Sequence, residues 1–338
     1  MSQRTTRAFV LESLGYEGLR ERAREISRPA RGQVLVRMRA ASLNYRDLKI
    51  LKGTYARRPQ LPLVLLSDGA GDVIEIGDAV TRFKEGDRIM PVYMEGWFAG
   101  PITATRDGWK SRGGDIDGLA TEYALVGEEN LLPIPSSMTY EQAACLPCAG
   151  VTAWHSLISA GQLKPGDTVL VQGSGGVSTF ALQIAKLAGA RVIAMSSDDE
   201  KLARLIDLGA WHGINYRSEP RWEDKVRELT RGDGVDQVVE VGGTGTIRQS
   251  LRATRDAGHV GLIGDLTGGF APKALTERGI RVSPIVVGSR QMAQDLMRAI
   301  EPHRQAPVID SRFAFADLKR ALAHLESGRH FGKIVLTF

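Results

Sequence analysis

The stretch Thr168-Val169-Leu170-Val171-Gln172-Gly173-Ser174-Gly175-Gly176-Val177-Ser178 decides the fold. An apolar run of strand length enters a glycine-rich turn. A helical pattern then opens in which Phe180, Ile184 and Leu187 share one face. Glycines at such a turn let backbone amides approach a pyrophosphate closely, and the helix N-terminus adds partial positive charge at the same point. Gly173, Ser174, Gly175, Gly176 and Val177 are therefore candidate cofactor-binding residues. The last glycine position of the usual pattern holds Ser178, which is expected to loosen packing of the helix against the strand slightly.

Outward from this turn, strands and helices alternate. Further strands are expected at 191–196, 213–216, 237–241, 259–264 and 281–287, with helices over Val177–Leu187 and Glu200–Leu208. Near-continuous apolar strands separated by helices imply a parallel sheet covered on both faces, a doubly wound α/β domain. Ligands of such sheets gather at the carboxyl ends of the strands, which makes Val241, Gly242, Ile263, Gly264, Val286 and Val287 candidates for the crevice. Before residue 135 the pattern changes. Val34, Val36, Met38 and Ala40 alternate with Leu35, Arg37 and Arg39, and turn signals such as Lys84-Glu85-Gly86-Asp87 punctuate short strands. This reads as antiparallel sheet or barrel. The expected division is 1–134, completed by 290–338, and 135–289, with a connecting helix at Met138–Cys145 capped by Ser137 or Thr139.

Composition narrows the function classes. The 44 basic and 39 acidic residues are interspersed, so the net charge of +5 forms no stripe that would track nucleic acid. Cys145 and Cys148 are the only thiols, which excludes a disulfide framework and a four-cysteine zinc site, and Cys145-Leu146-Pro147-Cys148 lacks the context of a redox pair. The first residues form neither a signal peptide nor a membrane span, so a cytoplasmic protein is expected.

At the end of the second strand of the parallel sheet, where an acid usually holds the ribose hydroxyls of NAD, the chain has Ser196. A carboxylate there would repel a 2′-phosphate by about 4 kcal/mol at roughly 4 Å and an effective dielectric near 20. Its absence favours NADP(H) over NAD(H), with Ser196, Ser197, Lys201 and Tyr216 as phosphate-binding candidates. Asp198 and Asp199 stand against this. Ser197 and Glu200 have capping-box spacing, which would turn those acids to the helix dipole.

The chain resembles the medium-chain dehydrogenases/reductases, in their zinc-independent, quinone-oxidoreductase-like branch. The resemblance is carried over nearly the full length by Ser42-Leu43-Asn44-Tyr45-Arg46-Asp47, Ser67-Asp68-Gly69-Ala70-Gly71 with Val73, Ile76-Gly77 and Val80, Gly86-Asp87-Arg88, Cys148-Ala149-Gly150-Val151-Thr152, the glycine loop, and Gly328 through Lys333. It implies a barrel-like, GroES-like catalytic domain together with a Rossmann domain, and it places Thr152, Gly332 and Lys333 among the cofactor-binding residues. Zinc-dependent relatives hold metal at positions that here read Asn44, Ser67 and Cys148, so one of three ligands survives and no metal is expected.

A catalytic zinc lowers a bound water from a pKa of 15.7 to about 7, and a comparable drop for an alcohol amounts to roughly 12 kcal/mol. Without it, hydride transfer to a quinone or an α,β-unsaturated carbonyl is the feasible chemistry, needing only donors toward an enolate-like oxygen. Tyr45 and Tyr55 are the candidate donors for that catalytic role, with Asn44 and Asp47 as polar residues of the same site, and the resemblance implies Asn44, Asp47 and Tyr55. Trp97, Phe98 and Trp109 form either an apolar substrate wall or a surface insertion packed on itself. The expected partners are a small quinone, enone or aldehyde and a second copy of the chain. An NAD(P)-dependent alcohol dehydrogenase and a non-catalytic NADPH-binding protein are the alternatives.

Overall fold

The computed structural model describes residues 4–102, 109–265 and 278–338. Contacts divide the chain into two units, Met1–Ala149 with Gly288–Phe338, and Gly150–Val287. In the first unit β1 (Arg4–Leu11) pairs antiparallel with β2 (Leu19–Ile26), β3 (Gln33–Ser42) leads into α1 (Tyr45–Leu51), and the two-residue β4 (Leu63–Val64) joins β1. β5 (Asp68–Ile76) pairs with β3, β6 (Arg88–Pro91) follows β5, and β7 (Met94–Glu95) with β8 (Lys110–Ser111) forms a separate ribbon. β9 (Tyr123–Gly127) also pairs with β3, β10 (Leu131–Pro133) pairs with β6, and α2 (Tyr140–Ala144) comes next.

Val34, Val36, Met38 and Ala40 of β3 are buried as the alternation requires, but Leu35 is buried too. Register shifts beside Leu35 and Met38 break the strict period of two. Backbones approach closely where the glycines of the second motif lie: a Cβ on Gly71 would stand 2.1 Å from the Arg37 carbonyl oxygen. Thr139 caps α2, with its Oγ1 accepting from Gln142 N at 3.2 Å.

The 134/135 boundary is corrected by α2. This helix packs on β3 and β5, and Ser42 Oγ donates to the Ala144 carbonyl at 2.8 Å, so the segment up to Ala149 belongs to the first unit. The later boundary falls between Val287 and Gly288 rather than after 289.

The second unit holds α3 (Val151–Trp154) and a six-stranded, wholly parallel sheet. Its elements are β11 (Thr168–Gln172), α4 (Gly176–Leu187), β12 (Arg191–Ser196), α5 (Asp199–Leu208), β13 (His212–Asn215), α6 (Trp222–Leu229), β14 (Val235–Glu240), α7 (Ile247–Ala253), β15 (Thr254–Leu262) and β16 (Arg281–Pro284). The strand order β13-β12-β11-β14-β15-β16 reverses direction at β11, the topological switch of a doubly wound sheet. Leu170, Ile193, Val238 and Val260 pack with Val226 and Leu251 of the covering helices.

The chain then returns to the first unit through α8 (Arg290–Ile300), β17 (Ile309–Ala314), α9 (Leu318–Glu326) and β18 (Lys333–Thr337). β18 pairs antiparallel with β3 and parallel with β17. Phe315, Leu318, Leu322 and Leu336 enter one core with Leu11, Leu43, Ile50 and Leu51. Among the described residues no helix is long and apolar enough to cross a membrane.

Candidate active site

In the second unit the expected nucleotide crevice is assembled by strand ends. β11 stops at Gln172, and Gly173 takes φ +73°, where a side chain would be strained. Gly175 stands at the N-cap of α4 with no side chain capping the helix, which leaves its first amides available to an anionic group. Ser178 corrects the expectation of loosened packing: its Oγ donates to the Gln172 carbonyl at 2.6 Å and ties helix to strand.

Ser196 ends β12 and is buried, and its Oγ accepts from Asp198 N at 3.3 Å. Tyr216 N donates to the Ser196 carbonyl at 3.1 Å, and the Tyr216 side chain is exposed. Lys201, in the first turn of α5, and Ser197, just ahead of the helix, are half-buried at the same strand end. The four phosphate candidates are thus neighbours along one edge of the sheet's carboxyl side. The cap of α5 is Asp198, not Ser197. Its carboxylate accepts from Lys201 N at 3.0 Å, while Asp199 Oδ1 accepts from Asn215 Nδ2 at 2.7 Å. Both acids have protein donors.

Val241 and Gly242 follow β14, Ile263 and Gly264 follow β15, and Val286 and Val287 follow β16. Val287 takes φ +43°, and its carbonyl lies 2.8 Å from His155 Nδ1. Thr152 is buried in α3. Sequence reasoning missed Glu240, the last residue of β14 and fully buried. Its Oε1 accepts from Gly242 N (2.7 Å), Gly243 N (2.9 Å) and Thr246 Oγ1 (2.6 Å), and its Oε2 accepts from Gln172 Nε2 (2.9 Å) and Ser250 Oγ. One carboxylate shapes the loop after β14. A charged residue closing the apolar pair Val238-Val239 was the available signal.

In the first unit Asn44 caps α1, and its N–H donates to Asp47 Oδ2 at 2.7 Å. Burial pushes the Asp47 carboxyl up to about 6, against the pull of the Arg46 guanidinium and the Asn44 N–H. Asn44 Nδ2 donates to Asp68 Oδ2 at 3.0 Å, Ser67 Oγ donates to Asp68 Oδ1 at 2.8 Å, and Cys148 N donates to Asp68 Oδ2 at 3.2 Å. Burial raises Asp68 as well. Three donors to one carboxylate mark the ionised form as the one the pocket is arranged to hold.

Tyr55 is half-buried, with the Arg46 guanidinium 5.2 Å from its ring, and Tyr93 lies on that guanidinium at 4.9 Å. Arg46 and Tyr93 were not singled out from the sequence, because their meeting depends on how α1 packs. Tyr45 stands apart: 69% exposed, at the start of α1. Gly332 and Lys333, expected among the cofactor residues, lie in the first unit at the start of β18. Lys333 is 2% exposed, and its Nζ donates to the Leu43 carbonyl and to Asn44 Oδ1, both at 2.6 Å. Gly332 takes φ +86°, and a Cβ there would stand 2.4 Å from the Val308 carbonyl. The backbones cross closely at this point. Trp97 is buried, donating from Nε1 to Gly100 O at 3.0 Å, and Phe98 is exposed. Trp109 lies 4.9 Å from Arg57, and the rest of that loop, 103–108, lies outside the described residues.

Comparison with known proteins identifies both units. Residues 30–136 match the alcohol dehydrogenase GroES-like domain family, and residues 176–301 match the zinc-binding dehydrogenase family. A zinc-type alcohol dehydrogenase-like protein of Schizosaccharomyces pombe is 40% identical over 337 residues, covering 96% of each chain. A quinone oxidoreductase of Pseudomonas aeruginosa is 32% identical, covering 95% of this chain and 96% of its own. The crystal structure of a putative alcohol dehydrogenase from Sinorhizobium meliloti superposes with a TM-score of 0.93 at 38% identity, over 100% of both chains.

The strand ends, Gly173 and the uncapped helix of the second unit fit a nicotinamide dinucleotide. The first unit does not fit zinc. Among the described residues no three His, Cys, Asp or Glu side chains group as metal donors. Burial pushes both thiols up, Cys145 to about 12. With a GroES-like domain, a parallel-sheet nucleotide domain and full-length relatives of both alcohol dehydrogenase and quinone oxidoreductase type, the chain belongs to the medium-chain dehydrogenase/reductase superfamily and is an oxidoreductase.

Proposed function

We propose that the protein is an NADPH-dependent reductase of quinones or α,β-unsaturated carbonyls that works without catalytic zinc. The observation that carries the cofactor choice is the end of β12. Ser196 stands where an acid would oppose a 2′-phosphate, Ser197, Lys201 and Tyr216 supply donors beside it, and the two nearby acids already have protein donors. The quinone oxidoreductase of Pseudomonas aeruginosa supports the acceptor class. A dinucleotide held on the glycine loop supplies the hydride. The chain's own residues then have to donate toward the acceptor oxygen as negative charge develops there.

Tyr55 is the proposed donor at its hydroxyl, seated on the Arg46 guanidinium, and Asn44 and Asp47 hold the start of α1, which carries Arg46. Tyr45 is a second candidate from the exposed side of α1. Small quinones, enones and aldehydes are the proposed substrates, and a homodimer is the proposed assembly.

Steady-state turnover of 1,2-naphthoquinone and of an aliphatic enone, each with NADPH and NADH, tests the reading. Faster turnover with NADPH on either acceptor is expected. Turnover confined to alcohols and dependent on added zinc overturns it in favour of an alcohol dehydrogenase. Tight NADPH binding with no hydride transfer to a broad acceptor panel would instead make the protein a non-catalytic nucleotide sensor.

A further inference from the structure

The antiparallel register that sets Val335 opposite Ser42 carries the first residue of β18, Lys333, past Leu43 to Asn44. Leu43 N donates to the Ile334 carbonyl at 3.0 Å, which fixes that alignment. The Lys333 ammonium is delivered among fully buried Asp68 and Asp47, Asn44, Ser67 and the backbone of Cys148, with the Arg46 guanidinium acting on Asp47 from its other side. Lys333 Nζ stands 4.0 Å from Asp68 Oδ2 with the two side chains 2% and 0% exposed. The orientation of the Asn44 carboxamide follows. Lysine can only donate, so Oδ1 must face Nζ, and Nδ2 is left to meet the Asp68 carboxylate.

We propose that the Lys333 ammonium is the resident cation facing Asp68 and Asn44. It is a positioning residue that balances the Asp68 carboxylate and aligns Asn44, and it closes the pocket to a divalent metal. A buried carboxylate requires a charge partner, and an internal lysine and a bound metal are alternative ways to supply one. The donor chemistry left when Lys333 is set aside, a carboxylate, a carboxamide oxygen, a hydroxyl and a thiol, is of the kind that takes a divalent ion. With the ammonium in place such an ion meets like charge at about 4 Å in a poorly solvated pocket, where repulsion is many times thermal energy.

Cobalt(II) titration followed by its visible and thiolate charge-transfer absorption tests this on the full-length protein and on Lys333→Met, alongside metal analysis of both as purified. The outcome is independent of which acceptor the enzyme reduces. Wild type is expected to show no saturable cobalt binding. Lys333→Met is expected to bind cobalt saturably, at least about tenfold more tightly than the weakest binding the titration can detect in wild type, with the gain removed by a second Asp68→Asn change. Stoichiometric metal in wild type overturns the proposal, as does a Lys333→Met protein whose cobalt affinity equals that of wild type.

Should Lys333→Met fail to fold, the charge-balanced pair Lys333→Met/Asp68→Asn supplies the second reading. Its melting temperature is expected to lie closer to wild type than that of Asp68→Asn alone plus the full loss of the lysine would give. A pair that also fails to fold, or one whose two losses simply add, denies the coupling and overturns the proposal.

Discussion

Glu240→Gln isolates what a single buried carboxylate does for the nucleotide unit. The side chain keeps its shape and loses its charge. Three donors meet Oε1, at 2.6 to 2.9 Å, and each passes from a bond with a charged acceptor to one with a neutral acceptor. Typical net values for the two classes, about 1.5–3 and 0.5–1.5 kcal/mol, make that loss roughly 1 kcal/mol per bond, about 3 in all. On the other oxygen the new amide nitrogen faces Gln172 Nε2, itself a donor. Gln172 cannot turn over without cost, because its Oε1 already accepts from Val241 N at 3.2 Å and Gly242 N at 3.3 Å. One further unsatisfied buried group adds about 1–2 kcal/mol, so the expected destabilisation is about 4–5 kcal/mol.

Urea unfolding followed by circular dichroism reads that quantity directly. NADPH fluorescence titration of the variant, well below its unfolding midpoint, is expected to show at least about tenfold weaker binding, since the loop from Val241 to Thr246 loses its anchor. A stability change under about 1 kcal/mol together with an unchanged dissociation constant refutes the reasoning.

The pH dependence of the second unit follows from His259, which is 1% exposed and held down to about 4 by burial, with Arg281 and His155 adding to the effect. Its folded value lies below its unfolded one, so its stabilisation is complete above about pH 6.5 and is lost as pH falls toward 4, by about 3 kcal/mol; urea midpoints across that range should fall less steeply in His259→Gln, and identical slopes exclude the assignment. Lys201→Ala is expected to raise KM for NADPH at least about tenfold while leaving that for NADH nearly unchanged, and equal effects on both nucleotides remove Lys201 from the phosphate site. Tyr55→Phe should lower kcat about 100-fold with KM little changed, with Tyr45→Phe closer to wild type; the reverse ranking would move the donor role to Tyr45. Gly71→Ala, whose new methyl would stand 2.1 Å from Arg37 O, is expected to destabilise the protein by about 3 kcal/mol in urea unfolding, and a wild-type midpoint would show that β3 and β5 separate more easily than their geometry implies.

What the sequence disclosed and what it withheld divide along a physical line. β11 and β12 occupy 168–172 and 191–196 because fully buried parallel strands leave an unbroken apolar run with glycine or a helix cap at its end. The glycine loop was legible for the same reason. Neighbouring cap-competent residues were not separable: Ser197 and Asp198 both suit an N-cap, and it is Asp198 whose carboxylate meets Lys201 N in the folded chain. The first unit's pocket was further out of reach. Asn44 and Asp47 stand three residues apart in the chain, but Lys333 reaches this pocket through strand register across most of the sequence, and a lysine in an apolar terminal strand gives no hint of which carbonyls it will meet. Glu240 had a signal, an acid ending Val238-Val239, without the partners that would have given it meaning.

The first unit is discontinuous, and this bears on how the protein is made. Phe9 packs edge-on against Phe315 with ring centroids 5.0 Å apart, and Phe315 stacks on Phe338 at 4.7 Å, so the earliest and latest parts of the chain share one interior. A ribosome working at about 5–20 residues per second must synthesise the entire nucleotide unit before β17, β18 and α9 emerge, a delay on the order of ten seconds. Through that interval the Ala40–Ser42 end of β3 waits without β18 on one edge, exposed to other nascent chains. Chaperone dependence during translation should therefore concentrate on the amino-terminal half, and a circular permutant beginning near Gly288 would shorten the wait.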